Sequence, residues 1–189
     1  MTRIIYWLSA IILGVVVGYQ AFNVSVDAAL YETGIENGPW RTNTAYGDRD
    51  ADPMLKSGVA LTGLMALKVS ETVYFTAYND DQGQPLSSAC TYRISGAPLQ
   101  SRWWSITIYG EDHYLIPNQL EKYSFFMPED AAPFAFLVAP EEPQEELTWL
   151  PSTDGGLLSI TLRLYNPESS IYENLETVQL PNIENEGCR

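Results

Sequence analysis

An uncharged apolar run near the N-terminus restricts this 189-residue chain more than any other feature. The run Ile4–Phe22 reads IIYWLSAIILGVVVGYQAF, and no charged residue lies between Arg3 and Asp27. Its length is close to the roughly 20 residues with which a helix crosses a bilayer. Aromatic side chains near both ends, such as Trp7 and Tyr19, suit the two membrane interfaces. The sequence therefore predicts a transmembrane helix within residues 1–23.

The basic residues predict the orientation of this helix. Arg3 is the only basic residue before the run, and the next is Arg41. The positive-inside rule then leaves the N-terminus in the cytoplasm and sends the rest of the chain across. We expect a single-pass protein of the inner (cytoplasmic) membrane whose C-terminal domain is periplasmic or otherwise extracytoplasmic.

A cleaved signal peptide is the competing interpretation, and it requires small residues at positions −1 and −3 of the cut. Cleavage after Gly18 puts Val16 at −3, and cleavage after Ala21 puts Tyr19 there. Because neither site fits well, the sequence favours a retained anchor. Both interpretations place the remaining chain outside the cytoplasm.

Composition and charge exclude several classes of partner. Hydrophobic residues make up 46% of the chain, which indicates a folded domain rather than a disordered one. The formal net charge of −14 argues against nucleic acid and against anionic lipid surfaces, since both require basic protein surfaces. Neutral and cationic partners are compatible with this charge. The alternative is that the acidic surface only keeps the domain soluble.

Cys90 and Cys188 are the only cysteines. In an extracytoplasmic compartment, an even number of cysteines favours a disulfide, which here would tie the C-terminal tail to the middle of the domain. Two unlinked thiols are the first alternative. The second is a catalytic Cys90 served by His113, the chain's only histidine.

Most of the chain after residue 70 has the two-residue period of β-strands. In Trp103–Tyr109, the side chains of Trp104, Ile106 and Ile108 are predicted to face the core. The motif SITIY at Ser105–Tyr109 is echoed by SITLRLY at Ser159–Tyr165, which indicates two strands with the same role in one sheet. The predicted strands are Thr72–Tyr78, Cys90–Ile94, Trp103–Tyr109, Lys122–Phe126, Phe134–Val138 and Leu157–Tyr165.

One helix is predicted before these strands. Asp52 is placed to cap its N-terminus and Pro53 to occupy its first turn. Its apolar side is predicted to contain Val59, Leu61, Leu64, Met65 and Leu67. The whole pattern predicts a mainly β fold, an antiparallel β-sandwich of jelly-roll type with one packed helix. We divide the chain into an anchor at 1–23, a stalk or linker at 24–37 and the sandwich domain at 38–189.

Catalytic and metal motifs are weak. His113 lies between two acids in a predicted turn, where a solvated structural role is more common than catalysis. The chain contains no GxSxG, HExxH or CxxC motif. Asp48, Asp50 and Asp52 alternate as calcium ligands do, but Pro53 and Val59 occupy the places where an EF-hand has glycine and glutamate. We predict no catalytic residues, no metal site and no cofactor.

The polar faces of the predicted strands form the best candidate binding surface. If the strands are neighbours, they bring together aromatic side chains and one arginine, types that are enriched where proteins bind ligands and partners. The alternative is that this face packs beneath the helix or a loop. The candidate residues are Tyr74, Tyr78, Trp103, Tyr109, Arg163 and Tyr165.

Several blocks of sequence resemble a known bacterial family, DUF1214 (domain of unknown function 1214). They include GPWRTNTAYGDRDADP, CTYRISGAPLQSRWWSITIYG and LSITLRLYNP, and the resemblance extends from about Gly38 to Cys188. The chain is similar to the short, single-domain, membrane-anchored members. The resemblance implies an antiparallel β-sandwich in the cell envelope, and it supplies no established catalytic residues.

The leading functional hypothesis is an envelope module that binds a ligand or a partner protein. An envelope enzyme, either a hydrolase or a carbohydrate-acting protein, is the first alternative. The second is an accessory subunit of an inner-membrane complex, docked through Gly14 and Gly18, whose spacing suits close contact between helices. The predicted partners are thus the inner membrane itself, through the N-terminal helix, and other membrane or envelope proteins.

Overall fold

The computed structural model describes residues 2–128 and 132–188. The described chain contains helices α1 (Thr2–Tyr31), α2 (Pro53–Leu61) and α3 (Ser169–Glu173). Its strands are β1 (Ile35–Asn37), β2 (Trp40–Thr42), β3 (Thr72–Ala77), β4 (Cys90–Gly96), β5 (Ser101–Tyr109), β6 (Ser124–Phe126), β7 (Phe134–Ala139), β8 (Thr148–Pro151), β9 (Ser159–Pro167) and β10 (Asn182–Cys188).

The strands form two sheets. The six-stranded sheet has the order β1-β2-β3-β9-β5-β6, and the four-stranded sheet has the order β10-β4-β7-β8. All pairs are antiparallel except β7 and β8, which are parallel. β9 lies between β3 and β5, so the two strands with similar sequences are direct neighbours. The predicted mainly β fold with two packed sheets is confirmed.

The core lies between the two sheets, as the two-residue period predicts. Trp104, Ile106 and Ile108 are buried there, as are the inward residues of β3 and β9. Aromatic rings join the sheets: the Trp104 ring centroid lies 4.5 Å from that of Phe134, and Phe125 stacks on Phe136 at 4.5 Å. The strand register inferred from the alternation is therefore correct.

α1 has two parts with different surroundings. Its residues 3–22 are exposed, while packing begins at Asn23 and includes the buried Val26. By length and composition, α1 is suited to cross a membrane. Both a membrane anchor and a signal sequence have a helix of this kind. The segment predicted as a stalk, 24–37, contains the end of α1 and strand β1 of the six-stranded sheet.

α2 begins where the sequence indicates, but it buries a different side. The Asp52 carboxylate accepts hydrogen bonds from the backbone N–H groups of Met54 and Leu55, at 2.7 and 3.3 Å. The predicted apolar side is wrong, because the helix ends at Leu61 and Met65 is 89% exposed. The residues buried on α2 are Leu55 and Gly58. Gly58 allows close contact with α1, since a Cβ atom there would overlap the Leu30 side chain.

The C-terminal segment is a strand rather than a pinned tail. β10 pairs with β4 along its length, and the pairing places Cys188 opposite Cys90. These two cysteines form a disulfide, as the sequence predicts, and this excludes both the unlinked thiols and the catalytic Cys90. The bond closes a sequence separation of 98 residues. It joins two neighbouring strands of the four-stranded sheet.

Candidate ligand-binding groove

The outer face of the six-stranded sheet contains the residues predicted to bind. Arg163 on β9 lies opposite Tyr74 on β3 and opposite Ser105 on β5. Tyr165 lies opposite Trp103, and Tyr109 is at the end of the same strand as Trp103. Tyr78 immediately follows β3. The predicted residues thus lie on neighbouring strands and share one face, which divides into a covered half and an open half.

The covered half contains Tyr74 and Tyr78. Tyr74 is only 4% exposed, and its hydroxyl accepts a hydrogen bond of 2.8 Å from the backbone N–H of Leu67. The ring of Tyr78 makes an edge contact with Tyr31 at the end of α1, with centroids 5.2 Å apart. Burial, with a smaller contribution from Tyr31, raises the pKa of the Tyr78 hydroxyl and that of Tyr46. Tyr74 and Tyr78 therefore pack beneath the end of α1 and the segment after α2.

A small cavity lies under this cover. Its volume is about 30 Å³, room for about one or two water molecules. Leu30 of α1 forms part of its wall, and His113, Tyr109 and Arg163 line it together with hydroxyl-bearing side chains of the sheet. The cavity is too small for an organic ligand, but two of its residues, Tyr109 and Arg163, also line the open half.

The open half is a groove of about 490 Å³, within the usual range of ligand sites. We call it the aromatic groove. Its floor comes from β5, β6 and β9, and its rim comes from the chain between β5 and β6. The lining residues are Ser105, Thr107, Tyr109, Leu115, Glu121, Lys122, Tyr123, Ser124, Phe126, Arg163 and Tyr165.

Arg163 stands at the junction of the two halves. Its Nη2 donates a hydrogen bond of 2.6 Å to the Tyr109 hydroxyl. The guanidinium carbon lies 5.9 Å from the Tyr74 ring centre and 5.6 Å from that of Tyr109, within the range of cation–π attraction. Among the described residues, no carboxylate forms a salt bridge with Arg163. The structure thus holds the guanidinium in place and leaves most of its N–H donors available.

Aromatic rings extend the groove away from Arg163. Trp103 packs against Tyr165 with centroids 5.1 Å apart, and it stacks on Phe126 at 5.7 Å. Trp103 is 38% exposed, in contrast to the 1% exposure of its neighbour Trp104. Such flat, rigid side chains offer a large contact area at low entropic cost. The cluster therefore gives the groove an apolar wall beside a cation.

Several hydroxyl groups in the groove make no hydrogen bond to any described residue. Ser105 and Tyr165 are two of these. Burial raises the pKa of the Tyr165 hydroxyl, and the opposing effect of Arg163 is smaller. The hydroxyl therefore remains protonated at neutral pH and can donate. By contrast, the hydroxyl groups of Thr107 and Ser124 form a hydrogen bond with each other, with 2.7 Å between the two oxygens.

His113 occupies a turn, as predicted. Its φ of 65° is left-handed, and its backbone N–H donates to the Gly110 carbonyl at 3.0 Å. Its imidazole makes no hydrogen bond to another described residue. The structure also brings His113 to the small cavity beside Arg163, which the sequence did not indicate.

The acidic loop before α2 has local structural roles. The Asp48 carboxylate accepts a hydrogen bond of 2.9 Å from the backbone of Asp50, and Asp52 caps α2. Within residues 2–128 and 132–188, no group of three or more His, Cys, Asp or Glu side chains is placed to hold a metal ion.

Two other cavities of similar size have less suitable walls. One of about 470 Å³ lies beside α2 and is lined mostly by small and apolar residues, including Ala60 and Met65. The other, of about 390 Å³, is lined by Glu111, Asp112 and Asp154 without a basic residue. Neither combines an available cation with aromatic walls, so the aromatic groove is the stronger candidate.

Sequence reasoning missed part of the groove. Phe126, Lys122 and Ser105 line it alongside Arg163 and Tyr165. The alternation along β5 placed Ser105 on the outer face, but a serine there gives no signal of binding. Phe126 required knowledge that β6 pairs with β5 and lies opposite Ser105.

Comparison with known proteins places the chain in a family. The profile of the family described as "Protein of unknown function (DUF1214)" matches residues 71–169, more than half of the chain. The chain therefore belongs to this family, as its sequence blocks indicate. The match includes the strands that carry Ser105, Arg163 and Tyr165. No curated protein matches the sequence.

Two solved structures are similar to this one. The VPA0106 protein from Vibrio parahaemolyticus aligns with 23% identity and a TM-score of 0.53, over 71% of this chain and 35% of its own. An uncharacterised protein from Burkholderia cenocepacia aligns with 12% identity and a TM-score of 0.44, over 91% of this chain and 42% of its own. The first supports the fold. The aligned part is less than half of either of those two proteins.

Proposed function

We propose that this member of the DUF1214 family is a membrane-anchored module outside the cytoplasm that binds a ligand or partner in its aromatic groove. The observation that carries the proposal is the position of Arg163, which only Tyr74 and Tyr109 hold and which has no carboxylate partner among the described residues. A partly buried cation costs desolvation energy, which a bound partner recovers. Folding alone does not require such an arrangement.

Three observations support the location. α1 exposes apolar side chains along residues 3–22, and a soluble protein gains nothing from that exposure. Arg3 precedes the apolar run, which favours a cytoplasmic N-terminus. The Cys90–Cys188 disulfide is of a kind that persists outside the reducing cytoplasm. We therefore propose a single-pass inner-membrane protein with a periplasmic domain.

A reporter fusion tests this topology. Fused after the C-terminus, a reporter that is active only outside the cytoplasm should give full activity, and a reporter active only inside should give none. The reversed pattern contradicts the location. Replacement of Arg3 by Glu, with a basic residue inserted after Asn23, should reduce or invert the signal because the orienting charge is moved.

A screen for binding tests the groove. Full-length protein in a non-ionic detergent is heated with a library of sugars, amino acids, dipeptides and small organic acids, and its unfolding temperature is measured. Any true ligand should stabilise the wild type, because it binds the folded state. The Phe126→Ala and Tyr165→Ala variants should lose that stabilisation.

The matched control is Leu61→Ala, which removes an exposed apolar side chain on α2 that does not line the groove. It should retain the full ligand-induced shift. If a ligand stabilises wild type and both groove variants equally, the ligand binds elsewhere and the groove assignment is wrong. If no library compound stabilises the wild type, the binding proposal loses its support.

An enzymatic role is the second candidate, and one observation favours it. His113 lines the small cavity with Arg163 and Tyr109, and its imidazole has no hydrogen bond to a described residue. A histidine whose imidazole has no such partner is a candidate general base. The groove would then present a substrate to this cavity. The His113 variant described below separates this alternative from binding alone.

A further inference from the structure

We infer that the aromatic groove takes a small monocarboxylate with a flat apolar body, its carboxylate on Arg163 and its body on Tyr165 and Phe126. This inference rests on the proposed function and specifies the chemical class of ligand. It follows from the charges that line the groove, from the geometry of the available donors and from the shape of the walls.

The charge balance of the groove differs from that of the whole protein. The chain has 24 acidic and 10 basic residues, yet the groove is lined by two basic residues, Lys122 and Arg163, and one acidic residue, Glu121. The lining therefore has one excess positive charge. A single carboxylate balances it, whereas a phosphate dianion would leave excess negative charge in a protein that is already strongly acidic.

Two of the other arginines, Arg93 and Arg41, have carboxylate partners that Arg163 lacks. Arg93 binds Glu145 at 2.6 Å and Glu186 at 2.5 Å, and Arg41 binds Glu36 at 2.8 Å. At Arg163, the neighbouring polar group is instead the Tyr109 hydroxyl, which leaves the planar fork unfilled. That fork matches the two oxygens of a carboxylate.

The surroundings of Arg163 favour recognition over mere attraction. The rings of Tyr74 and Tyr109 lie beside the guanidinium and restrict its position before a ligand arrives. Ser105 lies directly opposite Arg163 on β5, and its hydroxyl has no described partner. A carboxylate on Arg163 can accept a further hydrogen bond from this hydroxyl. Such pre-organised donors lower the entropic cost of binding.

The apolar wall defines the other end of the ligand. Tyr165 and Phe126 line the groove, and the ring of Trp103 packs against both of them. Flat apolar groups stack on such surfaces, while a flexible chain would lose more entropy on binding. The volume of about 490 Å³ suits one small organic molecule.

Matched acid and amide pairs test the inference. The probes are benzoate against benzamide and 3-phenylpropanoate against 3-phenylpropanamide, measured by equilibrium dialysis with full-length protein in non-ionic detergent and with empty micelles subtracted. Wild type should bind each acid at least about tenfold more tightly than its amide, because a charge-assisted bidentate contact is lost in the amide. Arg163→Met should remove this preference, and Arg163→Lys should retain part of it.

The control is Arg102→Met on the same sheet, which removes an exposed arginine that does not line the groove. It should keep the full preference. The wild-type comparison of acid with amide needs no variant, so the inference stays testable even if Arg163→Met does not fold.

The outcomes separate the inference from the proposed function. If acid and amide bind wild type equally and Tyr165→Ala abolishes both, the groove binds ligands but the carboxylate assignment is wrong. If neither member of any pair binds wild type, the carboxylate inference is also overturned. In that case, the library screen decides whether the groove binds ligands at all. Compounds whose stabilising effect is lost in Tyr165→Ala and Phe126→Ala still support the groove. If the library contains no such compound, the proposed function loses its support as well.

Discussion

The two halves of the outer sheet face differ in what lies above them, although their sequences follow the same alternation. In the covered half, the Tyr74 side chain is buried, and its hydroxyl accepts a hydrogen bond from the backbone N–H of Leu67. Tyr165 in the open half lies in a groove, and its hydroxyl has no described partner. Identical residue types at equivalent strand positions thus serve structure in one place and remain available for a ligand in the other.

The cover comes from the end of α1 and from the segment between α2 and β3. The end of α1 supplies Tyr31 and Leu30, and the segment after α2 supplies Leu67. In this way, the helix that we propose to cross the membrane also forms part of the roof over Arg163. The end of α1 therefore shapes the small cavity beside Arg163.

The largest loss of stability should follow a substitution on the inner face of the six-stranded sheet. Losses from substitutions in the two outer halves can be compared with it. Trp104→Ala removes a side chain that is 1% exposed and should lower the free energy of unfolding by about 3–5 kcal/mol, through lost burial and a cavity. Trp103→Ala is the matched control on the outer face and should cost much less. Denaturant unfolding measures both, and equal losses would overturn the strand register.

A smaller but clear effect is expected at the contact between α1 and α2. Gly58→Val forces side-chain atoms into Leu30 and should cost about 1–3 kcal/mol of stability, because overpacked contacts shift the backbone. It should also speed hydrogen exchange at the Leu67 amide by loosening the cover. Ala60→Val adds a similar side chain at an exposed position on the same helix and should leave that exchange unchanged. Unchanged exchange in Gly58→Val would show that α1 does not hold the cover.

The two tyrosine hydroxyls should respond differently to removal. Tyr74→Phe leaves the Leu67 N–H without its acceptor and should destabilise the protein by about 1 kcal/mol or more. Tyr165→Phe removes a hydroxyl without a described partner and should change stability by no more than about 0.5 kcal/mol. Thermal unfolding of both variants checks the difference. Similar values for the two would remove the distinction between the covered and open halves.

The smallest expected change in stability belongs to His113. Because it lies in a turn without a side-chain hydrogen bond to a described residue, His113→Ala should alter stability by no more than about 0.5 kcal/mol and should leave ligand binding intact. Thermal unfolding and a screen of ester and glycoside substrates provide the measurement. A substrate that wild type converts and the folded variant does not would establish the enzymatic alternative.

The sequence predicted the local features well because local rules determine them. The two-residue alternation identified the inward residues of β3, β5 and β9, and Asp52 indicated the start of α2. It missed β1, β2, β8 and β10 as strands. β8 is short and pairs in parallel with β7, and β10 carries glutamate and asparagine residues that are unusual in strands. Pairing with a neighbouring strand stabilises both, β8 with β7 and β10 with the distant β4, rather than their own residue preferences.

The sequence by itself determined the apolar helix, the single possible disulfide and the side of each main strand that faces the core, since these depend on composition and on spacing within a few residues. Only the tertiary structure decided which polar side chains meet. It placed Arg163 between Tyr74 and Ser105, brought Phe126 to the groove through β6, and packed Tyr31 of α1 against Tyr78. The physical reason is that strand pairing and the packing of helices over a sheet join residues far apart in the chain, and their free energy depends on the whole fold rather than on any local sequence.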